Sequence, residues 1–454
     1  MSVISRSGWS AVALVTVFIW ILFAVANVTH SSGMRREPVR IHGPQGNPCL
    51  GTVWTCGTPR AVIVLGHGVT MNQGAMATLA DTFARNGHAA VAIDFWGHGR
   101  SRERFDWSSN AAQVGAWCAW ARERFPGLPL AYLGHSMGGE AGDAAFRENP
   151  AVDAFVSLGM LPRRVPDCPT LIAFGRYEEL FSEETAREVA GDRAEVLVSP
   201  YSDHMLEITD PFLVRGIVAW VNTTLGLGGT VAFSWTRWAV LLAAMLIGVP
   251  ATLVLAEKAA SYQRPSPMPT GIAPLPPPGR FNLFRPAARL LGCAGEALPP
   301  MSGSMPAAMV RGAVFGVVFA MLMSLLLSAN VFTCSLNHPA RLAAWLVLAL
   351  PLAALFLRTS HALERVNPGT AFRRFAVGAL TRATPLLVIA SLLALRGPGI
   401  AFAGMMLAIL ALVFAFVAAV HALATRGAGD YRAGAVASGI VLAWITAFWL
   451  PLVF

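Results

Sequence analysis

The stretch "LAYLGHSMGGEAG", residues 130–142, decides how the rest of the chain is read. An apolar run, Leu130 to Leu133, enters the pentapeptide Gly134-His135-Ser136-Met137-Gly138, and a small-residue helical pattern follows. A serine between two glycines at a strand-to-helix turn is a candidate nucleophile, because the glycines leave room for a sharp turn that lifts the hydroxyl. The pentapeptide alone is weak. With 42 glycines in 454 residues, glycine at two removes on both sides falls by chance around about one serine in 120.

On either side, apolar β-rich runs alternate with helical patterns. The runs are "AVIVLGHG" (61–68), "AAVAIDF" (89–95), "PLAYLGHS" (129–136), "VDAFVSLG" (152–159), "TLIAFG" (170–175) and "AEVLVSP" (194–200). Helices are predicted near 74–86, 110–124, 138–148, 182–190 and 211–224, the last opened by Asp210-Pro211 as N-cap and first helical residue. Near-continuous apolar strands separated by helices predict an α/β domain with a mostly parallel sheet covered on both faces. In such sheets chemistry collects at the carboxyl ends of the strands. Those ends carry Gly66-His67-Gly68-Val69, "DFWGHGRS" (94–101), Ser136, "GRYEEL" (175–180) and "SPYSDHM" (199–205).

This layout resembles the α/β-hydrolase superfamily over about residues 50–225, including the chain order serine, acid, histidine. The resemblance implies a serine esterase-like or lipase-like hydrolase. Ser136 would be the nucleophile, with Gly134 and Gly138 making room for its turn; His204 would be the general base. The backbone N–H groups of Met137 and Val69, the latter just after His67-Gly68, would form the oxyanion hole. His67, His98 and Asp94 match positions that shape loops. The acid departs from the pattern. The superfamily usually has Asp three residues after the glycine ending the fifth run, and here Gly175 is followed by Arg176-Tyr177-Glu178. Glu178 is the expected acid, Glu179 stands one residue away as the alternative, and Asp203 is a more distant one. Only "MLPRRVPDCP" (160–169) lies where the superfamily often inserts a lid, so the expected site is open. Trp96 and Trp107 are candidates either for an acyl pocket or for the core.

The remainder of the chain is of another kind. Hydrophobic residues make up 55% of the sequence and charged ones 13%, a membrane-protein composition. Residues 30–228 hold 17 Arg against 21 Asp+Glu; everything else holds 17 Lys+Arg against 4 Asp+Glu. The net charge of +9 therefore belongs to the membrane portion and is not a nucleic-acid signature. Trp9–Val28 reads as an anchor, or as a signal peptide ending near Ala24-Val25-Ala26. Further spans are expected at about 232–255, 312–332, 342–358, 375–395, 400–421 and 433–454. Loops 256–311, 358–382 and 422–432 carry six, five and two Lys+Arg, whereas Arg341 and Arg396 stand alone in the loops between. That asymmetry puts the richer loops inside and residues 30–228 outside. A proline-rich segment near 256–308, with ten prolines between 265 and 300, excludes a regular domain there; 281–298 could form an interfacial helix.

The expected organisation is an anchor at 1–29, an extracytoplasmic hydrolase domain at 30–228 and a helical transmembrane domain at 229–454. The preference for Arg over Lys, 33 to 1, fits a GC-rich bacterial genome, hence the inner membrane with the domain facing the periplasm or exterior. Six cysteines show no Cys-x-x-Cys, and no metal or cofactor is implied; Cys49 and Cys56 could pair if they lie outside the cytoplasm. Arg382 and His421 read as interfacial residues, with a polar site inside the bundle as the alternative for Arg382. Three functions remain open on sequence: hydrolysis of an acyl ester or thioester, lipid-borne or not; acyl transfer with the same triad; and a transporter-like or receptor-like protein with an inactive hydrolase domain.

Overall fold

The computed structural model describes residues 33–148, 151–262, 304–330, 339–366, 370–395 and 400–449. The expected anchor, the 281–298 helix and most of the proline-rich segment lie outside the described residues.

Eight strands form one sheet: β1 (Arg35–His42), β2 (Pro48–Thr55), β3 (Ala61–Gly66), β4 (His88–Asp94), β5 (Leu130–His135), β6 (Ala154–Leu158), β7 (Thr170–Tyr177) and β8 (Glu195–Asp203), in the order β1-β2-β4-β3-β5-β6-β7-β8. Strands β3 to β8 run parallel, as their apolar runs predict. Every residue of β3, β4, β5 and β6 is buried, because helices cover both faces. Helices α1 (Ala77–Arg85) and α5 (Pro211–Thr224) pack on one face, with Leu79, Phe83, Leu213 and Ile217 against Ile63, Leu65 and Leu133. Helices α2 (Asn110–Arg124) and α3 (Met137–Phe146) pack on the other, with Trp117, Met137 and Phe146 against Val64, Val91 and Tyr132. Helix α4 (Glu183–Ala190) covers β7 and β8 through Ala186 and Ala190.

Strands β1 and β2 extend the sheet antiparallel. Strand β1 has no apolar run to announce it; it is an edge strand, with Arg35 and Arg40 exposed and the Arg36 guanidinium lying over the Trp54 ring of β2 at 4.0 Å. The pairing of Cys49 with Cys56 is corrected. Both thiols are free: Cys49 is the second residue of β2 and Cys56 follows its end. Seven residues of extended chain hold them about 23 Å apart, far beyond disulfide reach.

Beyond the sheet, α6 (Trp235–Ala243), a π-helical segment (Ala244–Gly248) and α7 (Val249–Tyr262) occupy the first span expected after the domain. Five further helices follow: α8 (Met305–Asn330), α9 (Pro339–Val366), α10 (Ala371–Ala394), α11 (Ile400–Ala428) and α12 (Tyr431–Trp449). All five carry stretches long and apolar enough to cross a membrane. Their outward faces expose Leu346, Val347, Leu350, Leu380, Leu392 and Leu412, as a lipid-facing surface would. Inside the bundle, Gly312 and Gly316 form a Gly-x-x-x-Gly pair that seats α8 on α12. A Cβ on Gly312 would come within 2.4 Å of the Ala433 carbonyl oxygen.

Two expectations for this bundle change. His421 is buried two turns before the end of α11, not at a span boundary. The Arg382 guanidinium lies over the Phe356 ring, 5.0 Å from its centroid, and so packs within the bundle. Ion pairs Glu257–Arg426 and Glu364–Arg374 tie α7 to α11 and α9 to α10, and Asp430–Arg432 sits at the start of α12.

Candidate active site

The sheet gathers the candidate residues at its carboxyl edge. Ser136 follows β5 and is the residue before α3, with φ +52 and ψ −116, a conformation rare for a residue bearing Cβ. The tight turn explains the flanking glycines. A Cβ on Gly134 would lie 2.2 Å from the carbonyl carbon of Gly138, and one on Gly138 would lie 2.4 Å from the carbonyl oxygen of Gly66. The Ser136 N–H donates to the Leu158 carbonyl at 2.9 Å, which ties the turn to β6. Ser136 is thus held by backbone packing, and its hydroxyl sits over the amino terminus of α3.

The hydroxyl is 2.9 Å from His204 Nε2. His204 follows β8, and its Nδ1 is 2.8 Å from Glu178 Oε2 and 3.1 Å from Oε1. A β-bulge aims the carboxylate there: the pairing of β7 with β8 slips between Gly175 and Tyr177, bringing Tyr177 opposite Asp203. The Leu180 N–H also donates to Glu178 Oε1 at 2.8 Å and fixes that side chain. Glu179 does something different, accepting from the His204 backbone N–H at 3.2 Å. Asp203 accepts from the backbone N–H groups of Met205 and Leu206 at 3.1 and 3.0 Å, so it caps the next turn.

Met137 is buried in the first turn of α3. Val69 follows Gly68, which packs against Ser136: a Cβ on Gly68 would lie 3.3 Å from the Ser136 Cβ. His67 accepts the Phe95 N–H at Nε2 (3.2 Å), leaving Nδ1 to donate to the Gly68 carbonyl at 2.8 Å, and so links the loops after β3 and β4. Asp94 accepts from the Gln73 N–H at 2.9 Å, from Gln73 Nε2 at 2.5 Å and from the Arg100 N–H at 3.1 Å. Its buried charge organises the 94–101 loop. Asp94→Asn would turn an amide N–H₂ towards these donors and is expected to cost about 2–4 kcal/mol of stability, read from the denaturant midpoint.

Trp96 is in the core, with Nε1 donating to the Pro48 carbonyl at 3.0 Å; Trp107 is exposed, with Nε1 donating to Glu140 Oε2 at 3.1 Å.

One residue escaped sequence reasoning. Glu207 is fully buried beneath the site, accepting the Gly175 N–H at 2.7 Å and lying 3.5 Å from His135 Nε2. Burial, and after it the charge of Glu178, push its pKa well above the usual carboxyl range. The available signal was an acid in the apolar run "MLEI" (205–208). His135, His204 and Glu207 bring ligand atoms within 4.8 Å of one another. Both His204 nitrogens are engaged by Ser136 and Glu178, however, and His135 Nε2 reaches the His204 carbonyl at 3.0 Å. His204, with both nitrogens taken, has none left for a metal.

Burial lowers the pKa of His67 to about 4 and those of His98 and His135 to about 3, against an ordinary value of 6.5. Below about pH 6.5 the unfolded chain binds protons that these folded imidazoles refuse, so stability falls as pH drops. Glu207 works in the opposite sense and offsets part of this. Unfolding midpoints of the full-length chain are expected to decline from pH 7 to 4.5, on the order of 1 kcal/mol per pH unit for each net proton. A flat profile would contradict neutral buried histidines.

The hydrolase-like region has relatives among known proteins. Residues 57–183 match the family described as "Serine aminopeptidase, S33". A monoacylglycerol lipase of Mycolicibacterium smegmatis is 38% identical over 92 residues, which cover 19% of this chain and 33% of that protein. A monoglyceride lipase homolog of Monkeypox virus is 30% identical over 96 residues, covering 20% of this chain and 35% of that protein. The chain thus spans about a third of the length of the curated relatives it matches. An esterase from Pyrococcus furiosus superposes over 42% of this chain and 94% of its own, at 13% identity and a TM-score of 0.38. The sheet-bearing part of the chain, a mostly parallel eight-stranded sheet, is the part that matches this family, and it is joined to a helical region with five membrane-spanning candidates.

Proposed function

We propose that this chain is a membrane-anchored serine hydrolase that cleaves an acyl ester or thioester through Ser136, His204 and Glu178. One observation carries the reading: an unbroken relay from the Ser136 hydroxyl to His204 Nε2 at 2.9 Å and from Nδ1 to Glu178 at 2.8 Å. In this reading the Ser136 hydroxyl passes its proton to Nε2 as the oxygen attacks the ester carbonyl. Glu178 holds Nδ1–H and offsets the imidazolium charge. The N–H groups of Met137 and Val69 receive the developing oxyanion, each contributing about 3 kcal/mol to lowering the barrier. His204 then protonates the leaving alcohol or thiol, and water releases the acyl group from Ser136 by the same steps in reverse.

The relatives' descriptions as monoacylglycerol and monoglyceride lipases support an ester substrate. Charge supports an orientation: the loops with six and five Lys+Arg connect the helix ends remote from the hydrolase domain, which favours that domain on the outer, periplasmic side. A fluorophosphonate probe should label the purified full-length protein, with the adduct on the peptide containing Ser136. No labelling at any pH between 6 and 9 would sink the reading.

A further inference from the structure

No lid is inserted between β6 and β7, which are joined by a short coil, residues 159–169, without a helix. The site is nevertheless covered. Phe402, in the first turn of α11, sets its ring edge-on to the His204 imidazole, 5.4 Å between centroids at 85°. Arg341, in the first turn of α9, is buried where the two parts meet. Its Nη2 donates to the Gly97 carbonyl of the 94–101 loop at 2.9 Å, and its Nη1 to the Ala447 carbonyl of α12 at 2.8 Å. Trp238 of α6 donates from Nε1 to the Thr209 carbonyl at 3.2 Å, in the turn after His204. Three helices of the bundle therefore hold two loops of the site, the 94–101 loop and the turn that carries His204 and Thr209.

The rim beside this junction is aromatic and exposed. Tyr201 at 74% exposure packs edge-on to Phe212, and Trp235 packs against Trp238. Tyrosine and tryptophan of this kind settle at the level of lipid headgroups. Leu206, two residues after His204, is exposed as well.

We propose that the helical bundle is the lid of this hydrolase, with Phe402 roofing His204 and Arg341 clamping the 94–101 loop, so that the substrate is an ester whose acyl chain enters sideways from the lipid phase. The proposal rests on the hydrolase reading above and extends it by assigning specificity to two residues outside the hydrolase domain. Arg341 answers a specific need: a lid packed on a moving loop would leave the site ill-defined, and a buried guanidinium bridging Gly97 and Ala447 fixes loop and helix together. Phe402 gives an apolar ceiling along which an acyl chain can lie while its carbonyl reaches Ser136. A soluble ester arriving from water finds that ceiling in its way.

The test uses the full-length protein in phosphatidylcholine–phosphatidylglycerol nanodiscs. Phe402→Ala and, as a milder change that keeps the packing, Phe402→Leu are compared with wild type on two substrates. One is p-nitrophenyl acetate in water; the other is a long-chain monoacyl ester dissolved in the bilayer. The expected result is opposite movement. Turnover of the soluble ester should rise several-fold, whereas KM for the bilayer ester should rise about tenfold with kcat little changed, the loss of one aromatic contact along the chain. Phe402→Leu should fall between. Equal changes on both substrates, or none, with fluorophosphonate labelling of wild type intact, would overturn the lid and leave the hydrolase standing. Wild type that neither labels nor turns over either ester would overturn the hydrolase reading itself, and the lid with it.

Discussion

Ser136→Ala is expected to lower ester turnover by about a million-fold and to abolish fluorophosphonate labelling, with the fold unchanged. The magnitude follows from the geometry. The hydroxyl is the group the relay serves, 2.9 Å from His204 Nε2, and alanine leaves His204 nothing to deprotonate. In the proposed reading, what remains is carbonyl polarisation by the Met137 and Val69 N–H groups, the source of a residual acceleration of about 10³–10⁴ over water. Stability should hardly move, because the turn is made by Gly134 and Gly138 and by the Ser136 N–H bond to Leu158, none of which the substitution touches. Near-wild-type turnover in Ser136→Ala, with a matching circular dichroism spectrum, would assign the reaction to another residue.

Glu178→Gln is expected to cost about ten-thousand-fold in kcat, whereas Glu179→Gln should stay within about tenfold. The two carboxylates are adjacent in sequence and separated in task. Glu178 grips Nδ1 through both oxygens, at 2.8 and 3.1 Å, and so sets the tautomer that leaves Nε2 free to accept a proton. A glutamine can present its N–H₂ to Nδ1 and favour the wrong tautomer. Glu179 accepts only the backbone N–H of His204, a role an amide oxygen can fill. Burial raises the pKa of Glu179, so its proton-bearing form also becomes accessible at lower cost than for an exposed acid. Pre-steady-state acylation rates of the two variants, measured with a p-nitrophenyl ester, decide the matter. The reverse ranking would make Glu179 the acid and the described bulge irrelevant.

Much of the site is readable in the sequence because strand ends are readable. An apolar run fixes a buried parallel strand, and the residue that follows it must emerge at the carboxyl edge. Val69, Ser136, Glu178 and His204 all follow such runs in "AVIVLGHG", "PLAYLGHS", "TLIAFG" and the run ending "SPYSDHM". Strand β1 is unreadable for the opposite reason, since an edge strand buries little and so carries no apolar signature. Glu207 is hidden because an isolated acid in a short apolar run reads as a solvated side chain, and only the enclosure by Gly175, His135 and Glu178 shows that it is buried.

The sequence by itself therefore determined the α/β architecture, the order of the reactive groups along the chain, and the presence of a long apolar helical region. Those properties follow from local periodicity and composition, which act over a few residues at a time. Tertiary structure decided which glutamate faces His204, because the pairing of β7 with β8 slips by two residues between Gly175 and Tyr177 and no local pattern encodes that slip. It decided that Cys49 and Cys56 stay apart, since an extended strand lies between them. It also placed Phe402 over His204 and Arg341 on Gly97, residues nearly 200 and 250 positions away along the chain. Contacts of that range depend on how two separately folded layers dock, and a helix's first turn carries no mark of what it will touch.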